Sequence, residues 1–201
     1  MTIQLIDINP EMVGAWRNEF GSYSDIKIST GSIFELEADA IVSPANSFGI
    51  MDGGLDGKIR DFFSIEIEEK VRQKISLDHA GELPVGVAIS TSIENRKFRY
   101  LITAPTMRVP EIVASTQNAY LAMRAILLEA KRIGVQKISI PGLCALSGQM
   151  PVIVVARQMR IAYDKVVLRR INYTHWREEK ALQNYMACIT NELPFDYENK
   201  R

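Results

Sequence analysis

The stretch SPANSFGIMDGGLD, residues 43–56, holds an asparagine and two aspartates among turn-forming residues, and Asn46 and Asp56 are ten positions apart. An asparagine donates and accepts at once, so Asn46 can fix the orientation of a hydroxyl group. Asp56 can polarise a water molecule or take its proton. Gly53 and Gly54 precede a helical pattern from Leu55, and glycine-rich backbone at a helix start turns N–H groups onto an anion. Turn chemistry offers a competing use: Asn46 as a turn residue, Asp56 as a helix cap. Ser43 and Pro44 are read as residues that shape the backbone.

Two further polar loops follow strand-like runs: TAPTMRVP at 103–110 and GLCALSGQM at 142–150. Cys144 as a nucleophile would need a base nearby, and no spacing supplies one; a packing thiol is the alternative. His79 and His175 have no Cys, His or carboxylate at a metal-ligand spacing, so no metal and no cofactor is expected. G-x-G-x-x-G after the first strand, G-x-S-x-G and the zinc-deaminase signature are all missing. GLDGKI lacks the residues of a phosphate-binding Walker loop.

These loops need elements to hold them. With 201 residues, 47% of them apolar, the chain can bury one sizeable core, and one domain over 1–201 is expected. Lys plus Arg and Asp plus Glu each number 24, a zero balance that argues against a broadly basic nucleic-acid or membrane binder. No secretory leader or 18-residue apolar span is seen, and the two cysteines, Cys144 and Cys188, suit a reducing, cytoplasmic setting.

IQLIDI reads as an edge strand, and Asn9-Pro10-Glu11 opens a helix to about Phe20. DIKIST, ADAIVS, VGVAIST, RYLITAP and QKISIPGL are strand-like. Helical patterns run from Leu55 to about Ile75, as one helix or as two with a break between them, from Thr116 to Ile133, over PVIVVARQMRIAYDKV, and from His175 to about Thr190. Alternating strands and helices predict an α/β fold with helices on both faces of a mixed, largely parallel sheet. In such sheets ligands sit beyond the carboxyl ends of strands, which is where all three loops lie.

DAIVSPANS leading to DGGLDGKI resembles the macrodomain signature, in which an asparagine after a strand precedes a glycine-rich loop, an aspartate and a helix. GSI at 31–33, GELPVGVAIST, YLITAPTMRVP and ISIPGLCALSGQMP resemble further family segments in the same order, over about residues 28–165. SPANS and APTMRVP look like a bacterial and phage-type subgroup. The resemblance implies a three-layer α/β/α fold that binds ADP-ribose and hydrolyses it from a protein, nucleic-acid or small acceptor. A reader without turnover, or a scaffold that has lost the ligand, are the alternatives. Nucleic acid enters only as a modified substrate, and no membrane partner is implied.

By the same resemblance Asn46 and Asp56 are the catalytic pair. The expected ligand contacts are Gly31, Ser32 and Ile33 at the adenine, then Ser43, Ala45, Asp52, Gly53, Gly54, Leu55 and Pro105. From the second phosphate loop come Gly142, Leu143, Cys144, Ala145, Leu146, Ser147, Gly148, Gln149 and Met150. Two departures stand out: Ser32 replaces the usual aspartate, and Cys144-Ala145-Leu146 replaces a glycine-containing segment. A side chain at Leu146 is expected to narrow the diphosphate groove and to carry the cost of positive φ.

Overall fold

The computed structural model describes residues 1–171 and 175–187. Strand β1 (Thr2–Asp7) leads to helix α1 (Pro10–Phe20), β2 (Ile26–Thr30) and a single 3₁₀ turn at Ile33–Glu35. Then come β3 (Ala40–Ser43), α2 (Gly54–Phe63), α3 (Glu66–His79), β4 (Ile89–Ser92) and β5 (Tyr100–Thr103). Helix α4 (Asn118–Arg132), β6 (Lys137–Ile140), α5 (Val152–Tyr163) with a π turn at Asp164–Leu168, and α6 (Trp176–Ala187) complete the described residues. The sequence-predicted end of the last helix, and Cys188, lie outside them.

The strands form one sheet in the order β2-β1-β6-β3-β5-β4, parallel except for β4 against β5. The mixed, largely parallel sheet expected from the sequence is therefore present. The reading of the first strand as an edge is corrected: β1 pairs with β2 on one side and β6 on the other. Its short apolar run, with Ile3 and Leu5 fully buried, is what a strand covered on both faces requires. The edges are β2 and β4, the most polar strands, with sequences IKIST and ISTS.

Alternation along each strand divides the core. Ala40, Val42, Ile102, Ile138 and Ile140 pack with the residues of α1, α4 and α5, whereas Ile41 and Leu101 pack with those of α2 and α3. Helix α1 starts as its residues dictate: the Asn9 carboxamide accepts from Glu11 N at 2.9 Å, with Pro10 at the first position. The predicted helix after Gly54 is divided at Ser64, where φ is +108°. Helix α5 buries Arg157 and Arg160, both paired with Glu19 of α1, Arg160 at 2.5 Å. A buried guanidinium is tolerable only when matched in this way.

Candidate functional site

At the carboxyl ends of β3, β5 and β6 a crevice of about 340 Å³ opens between the loop before α2 and the loop before α5. The parallel pairing of β3 and β5 runs on past both strands. Ala104 N donates to Ser43 O (3.1 Å), Thr106 N to Ala45 O (2.9 Å) and Ser47 N to Arg108 O (3.1 Å). The SPANS and TAPTMR segments thus leave the sheet as an ordered pair and form the crevice floor.

Asp56 lies in the first turn of α2 and on the crevice wall. Its Oδ1 accepts a hydrogen bond from Ser43 Oγ at 2.6 Å. Burial pushes its carboxyl up to about 6, the Ser43 bond opposes this, and the charges of Asp52 and Glu68 add to the rise. Asp56 is therefore no helix cap: it reaches back to the strand, and Gly53 at the N-cap offers no side chain to the first turn. The amides at the start of α2 stay available to a bound anion.

Asn46 lines the same crevice, with its carboxamide engaged by its own loop. Oδ1 accepts from Phe48 N (3.0 Å) and Ile50 N (3.3 Å), and Nδ2 donates to Ile50 O at 2.7 Å. The amide has a second hydrogen, and that one can serve a ligand. Thr106 carries the opposite wall: Asn118 Nδ2 donates to its carbonyl at 2.8 Å, and the Cys144 thiol lies 3.8 Å from the same oxygen.

The second loop is held from within. Met150 N donates to Cys144 O (3.0 Å), Gln149 N to Leu146 O (3.1 Å), and Val113 N to Gly148 O (2.9 Å). Positive φ falls at Cys144 (+64°) and Gln149 (+50°), not at Leu146. The strain expected at Leu146 thus sits two residues earlier, on a thiol that is 4% exposed. Leu146 itself is 69% exposed and stands on the wall without closing the crevice. Burial pushes the Cys144 thiol up to about 12, which removes it as a nucleophile. In a Cys188→Ala background, we expect Cys144 to resist a thiol reagent in native buffer and to react fully in denaturant; rapid labelling of the folded protein would overturn the packing role.

Of the sequence-predicted residues, the crevice brings together Ala45, Asn46, Asp52, Gly53, Gly54, Leu55, Asp56, Gly142, Cys144, Ala145, Leu146, Ser147 and Gly148. Others lie off its surface. Ser43 is fully buried under Asp56, so its hydroxyl does more than shape the backbone. Pro105, Leu143 and Met150 are buried, the last at 2% exposure, and Gln149 faces solvent. Gly31 N donates to the carbonyl of Asp7 at 3.1 Å, Ser32 Oγ accepts from Phe34 N and Ile33 is buried; none of the three is among the crevice's lining residues.

Ile50, Thr106, Met107 and Pro110 line the crevice from within the loops at 43–56 and 103–110, whereas Asp7 and Pro141 line it from outside the named loops. Asp7 accepts from Asn9 N at 2.8 Å and from Gly142 N at 3.0 Å, joining the ends of β1 and β6. Its position at a strand end just before Asn-Pro was the available signal. Among the described residues no lysine or arginine lines the crevice, so the groups it offers an anion are backbone donors and the α2 dipole. Among the described residues no group of three or more His, Cys, Asp or Glu is arranged to hold a metal ion, and no helix is long and apolar enough to cross a membrane.

Known proteins resemble this chain in sequence and in fold. The family model described as Macro domain matches residues 42–159, from β3 into α5. An uncharacterised protein of Aquifex aeolicus is 38% identical over 135 residues, covering 67% of this chain and 78% of that protein. Among solved structures, the macrodomain of Mycobacterium tuberculosis DarG aligns with a TM-score of 0.60 at 14% identity, over 68% of this chain and 88% of that one. The Oceanobacillus iheyensis macrodomain with ADP aligns with a TM-score of 0.56 at 24% identity, over 66% and 72%.

Proposed function

This chain belongs to the macrodomain family, and from that premise we propose that its crevice binds ADP-ribose and that the protein hydrolyses ADP-ribose from a linked acceptor. One observation carries the catalytic part: a carboxyl poised near pH 6, Asp56, stands on the crevice wall beside the uncapped start of α2. The binding part draws support from the solved macrodomain of Oceanobacillus iheyensis, which carries ADP in one structure and ADPR in another. The crevice volume lies within the ordinary range for small-molecule sites, about 300–1,000 Å³.

In this reading the diphosphate lies between the α2 start and the Gly142–Gly148 backbone. Asn46 contributes its remaining amide hydrogen to a distal-ribose hydroxyl. Ionised Asp56 takes a proton from water while the water oxygen forms a bond to the anomeric carbon. The bond from that carbon to the acceptor breaks, the acceptor atom keeps the electron pair and takes a proton from solvent, and Asp56 returns its proton to solvent. A general base with a pKa near the working pH is the efficient choice. The acceptor is a protein side chain, a nucleic-acid end or a small molecule.

A second reading, a reader that binds without turnover, has one observation in its favour: three of the hydrogen bonds Asn46 can make are already used inside its own loop. Calorimetric titration with ADP-ribose, ADP and AMP, followed by release assays on ADP-ribosylated acceptors, separates the readings. Micromolar binding that needs the distal ribose, with turnover falling below about pH 6, is the expected result. Binding without release favours the reader, and no binding at millimolar ligand overturns both.

A further inference from the structure

Two buried hydroxyls stand side by side behind the crevice wall, and one of them has no use in the folded ground state. Ser43 and Thr103 are register partners across β3 and β5. Both are fully buried. Neighbouring residues assign their face: Ile41 and Leu101, two positions earlier on each strand, pack with α2 and α3 residues, so Ser43 and Thr103 project to that same side. The Ser43 bond to Asp56 agrees with this. Thr103 Oγ1 has no hydrogen-bond partner among the described residues. A buried hydroxyl left unpaired costs about 1–3 kcal/mol, and such a group in a native fold calls for an explanation.

We infer that Ser43 and Thr103 form a two-hydroxyl relay that hydrogen-bonds Asp56 in both of its protonation states. Adjacent strands run about 4.8 Å apart, so paired side chains on one face come within reach of each other. A rotation about χ1 of Thr103 closes the relay. With Asp56 ionised, Thr103 donates to Ser43 Oγ and Ser43 donates to Asp56 Oδ1, each bond strengthening the next. With Asp56 protonated, both bonds reverse: the carboxylic acid donates to Ser43, and Ser43 donates to Thr103. A serine alone would lose its acceptor in that second state. Thr103 thus lets Asp56 take up and release a proton without leaving a buried hydroxyl stranded.

The charged groups around Asp56 offer no substitute. Asp52 and Glu68 are anionic and oppose its ionisation. Asp7, on the same crevice, accepts from Asn9 and Gly142, while Arg60 further along α2 is paired with Asp61 at 3.3 Å and Glu68 at 3.8 Å. Ser43 and Thr103 are positioning residues in this scheme: neither lines the crevice, and both act through Asp56.

The inference rests on the hydrolase reading only for its use in turnover, so the decisive test needs no ligand. Aspartate labelled with ¹³C at the carboxyl carbon is followed by NMR across a pH titration of the free protein, with Asp56→Asn identifying the signal. Ser43→Ala is expected to raise the Asp56 midpoint by roughly one pH unit, because the ionised form loses its donor. Thr103→Val should lower it by about half as much, because the protonated form then leaves the Ser43 hydroxyl without an acceptor, and should change nothing in the Ser43→Ala background. Thr103→Ser, which keeps the hydroxyl, should leave it in place and guards against a packing artefact. An unmoved midpoint in Thr103→Val, or an equal shift with and without Ser43, overturns the relay. A relay seen by NMR in a protein that releases no ADP-ribose would sink the hydrolase reading alone.

Discussion

Asp56→Asn is expected to lower turnover by two to four orders of magnitude and, at pH 8, to make the protein more stable. The first effect is the ordinary contribution of a positioned general base. The second follows from linkage. The carboxyl is raised from 3.8 to about 6 in the folded state. Below 3.8 it is protonated in both states and costs nothing; as pH rises through the folded value it must ionise in a buried, acidic setting. Stability on its account is therefore highest in acid and is lost by the time pH passes 6. The cost at pH 8 reaches at most about 3 kcal/mol, and partial solvent access makes the actual figure smaller.

Asparagine removes that cost and still accepts from Ser43. Thermal unfolding should show Asp56→Asn melting several degrees above the wild type at pH 8, and level with it near pH 4. A variant destabilised equally at both pH values would show that the carboxylate is structural. Inactivity combined with added stability is the pattern of a site held in a strained state for its chemistry.

Gly148→Ala is expected to weaken ADP-ribose binding tenfold or more and to destabilise the fold. A Cβ built there would lie 2.6 Å from Cys144 O and 2.6 Å from Val113 Cγ2. The first of these atoms belongs to the backbone that turns the loop, so the loop itself must shift. Overpacking of this kind costs about 1–3 kcal/mol, and each 1.4 kcal/mol of binding lost is about tenfold in affinity. Gly14→Ala in α1 is the control: its Cβ meets nothing within 4 Å, and it should stabilise by about 0.5–1 kcal/mol with unchanged affinity. Retained affinity in Gly148→Ala would mean that the second loop does not contact the ligand.

Much of this was open to reading from the chain alone. Asn9-Pro10 marked the start of α1 because capping is a contact between residues two apart, and local spacing records it. The alternation of β3 and β5 with amphipathic helices followed from burial on both sheet faces. SPANSFGIMDGGLD stood out because turn residues in such number exceed what a turn needs. Its Asn46 and Asp56 do share one crevice with Gly142 and Gly148 from the far loop.

Tertiary structure decided the rest, and in each case the reason is that the partner lies far along the chain. β1 looked like an edge strand because a short, mostly apolar run carries no mark of which strands flank it; its pairing with β6 spans 135 positions, Thr2 to Lys137. Asp7 enters the crevice through the same pairing, which brings Gly142 N to its carboxylate. Leu146 could be identified as a departure, but its φ depends on how Cys144 and Gln149 fold the loop around it. Ser43 read as a turn-shaping residue until α2 returned Asp56 to its hydroxyl. The sequence determined which residues could do chemistry and the period of the elements that carry them. Strand order and register, set by packing across the whole chain, decided which of those residues meet.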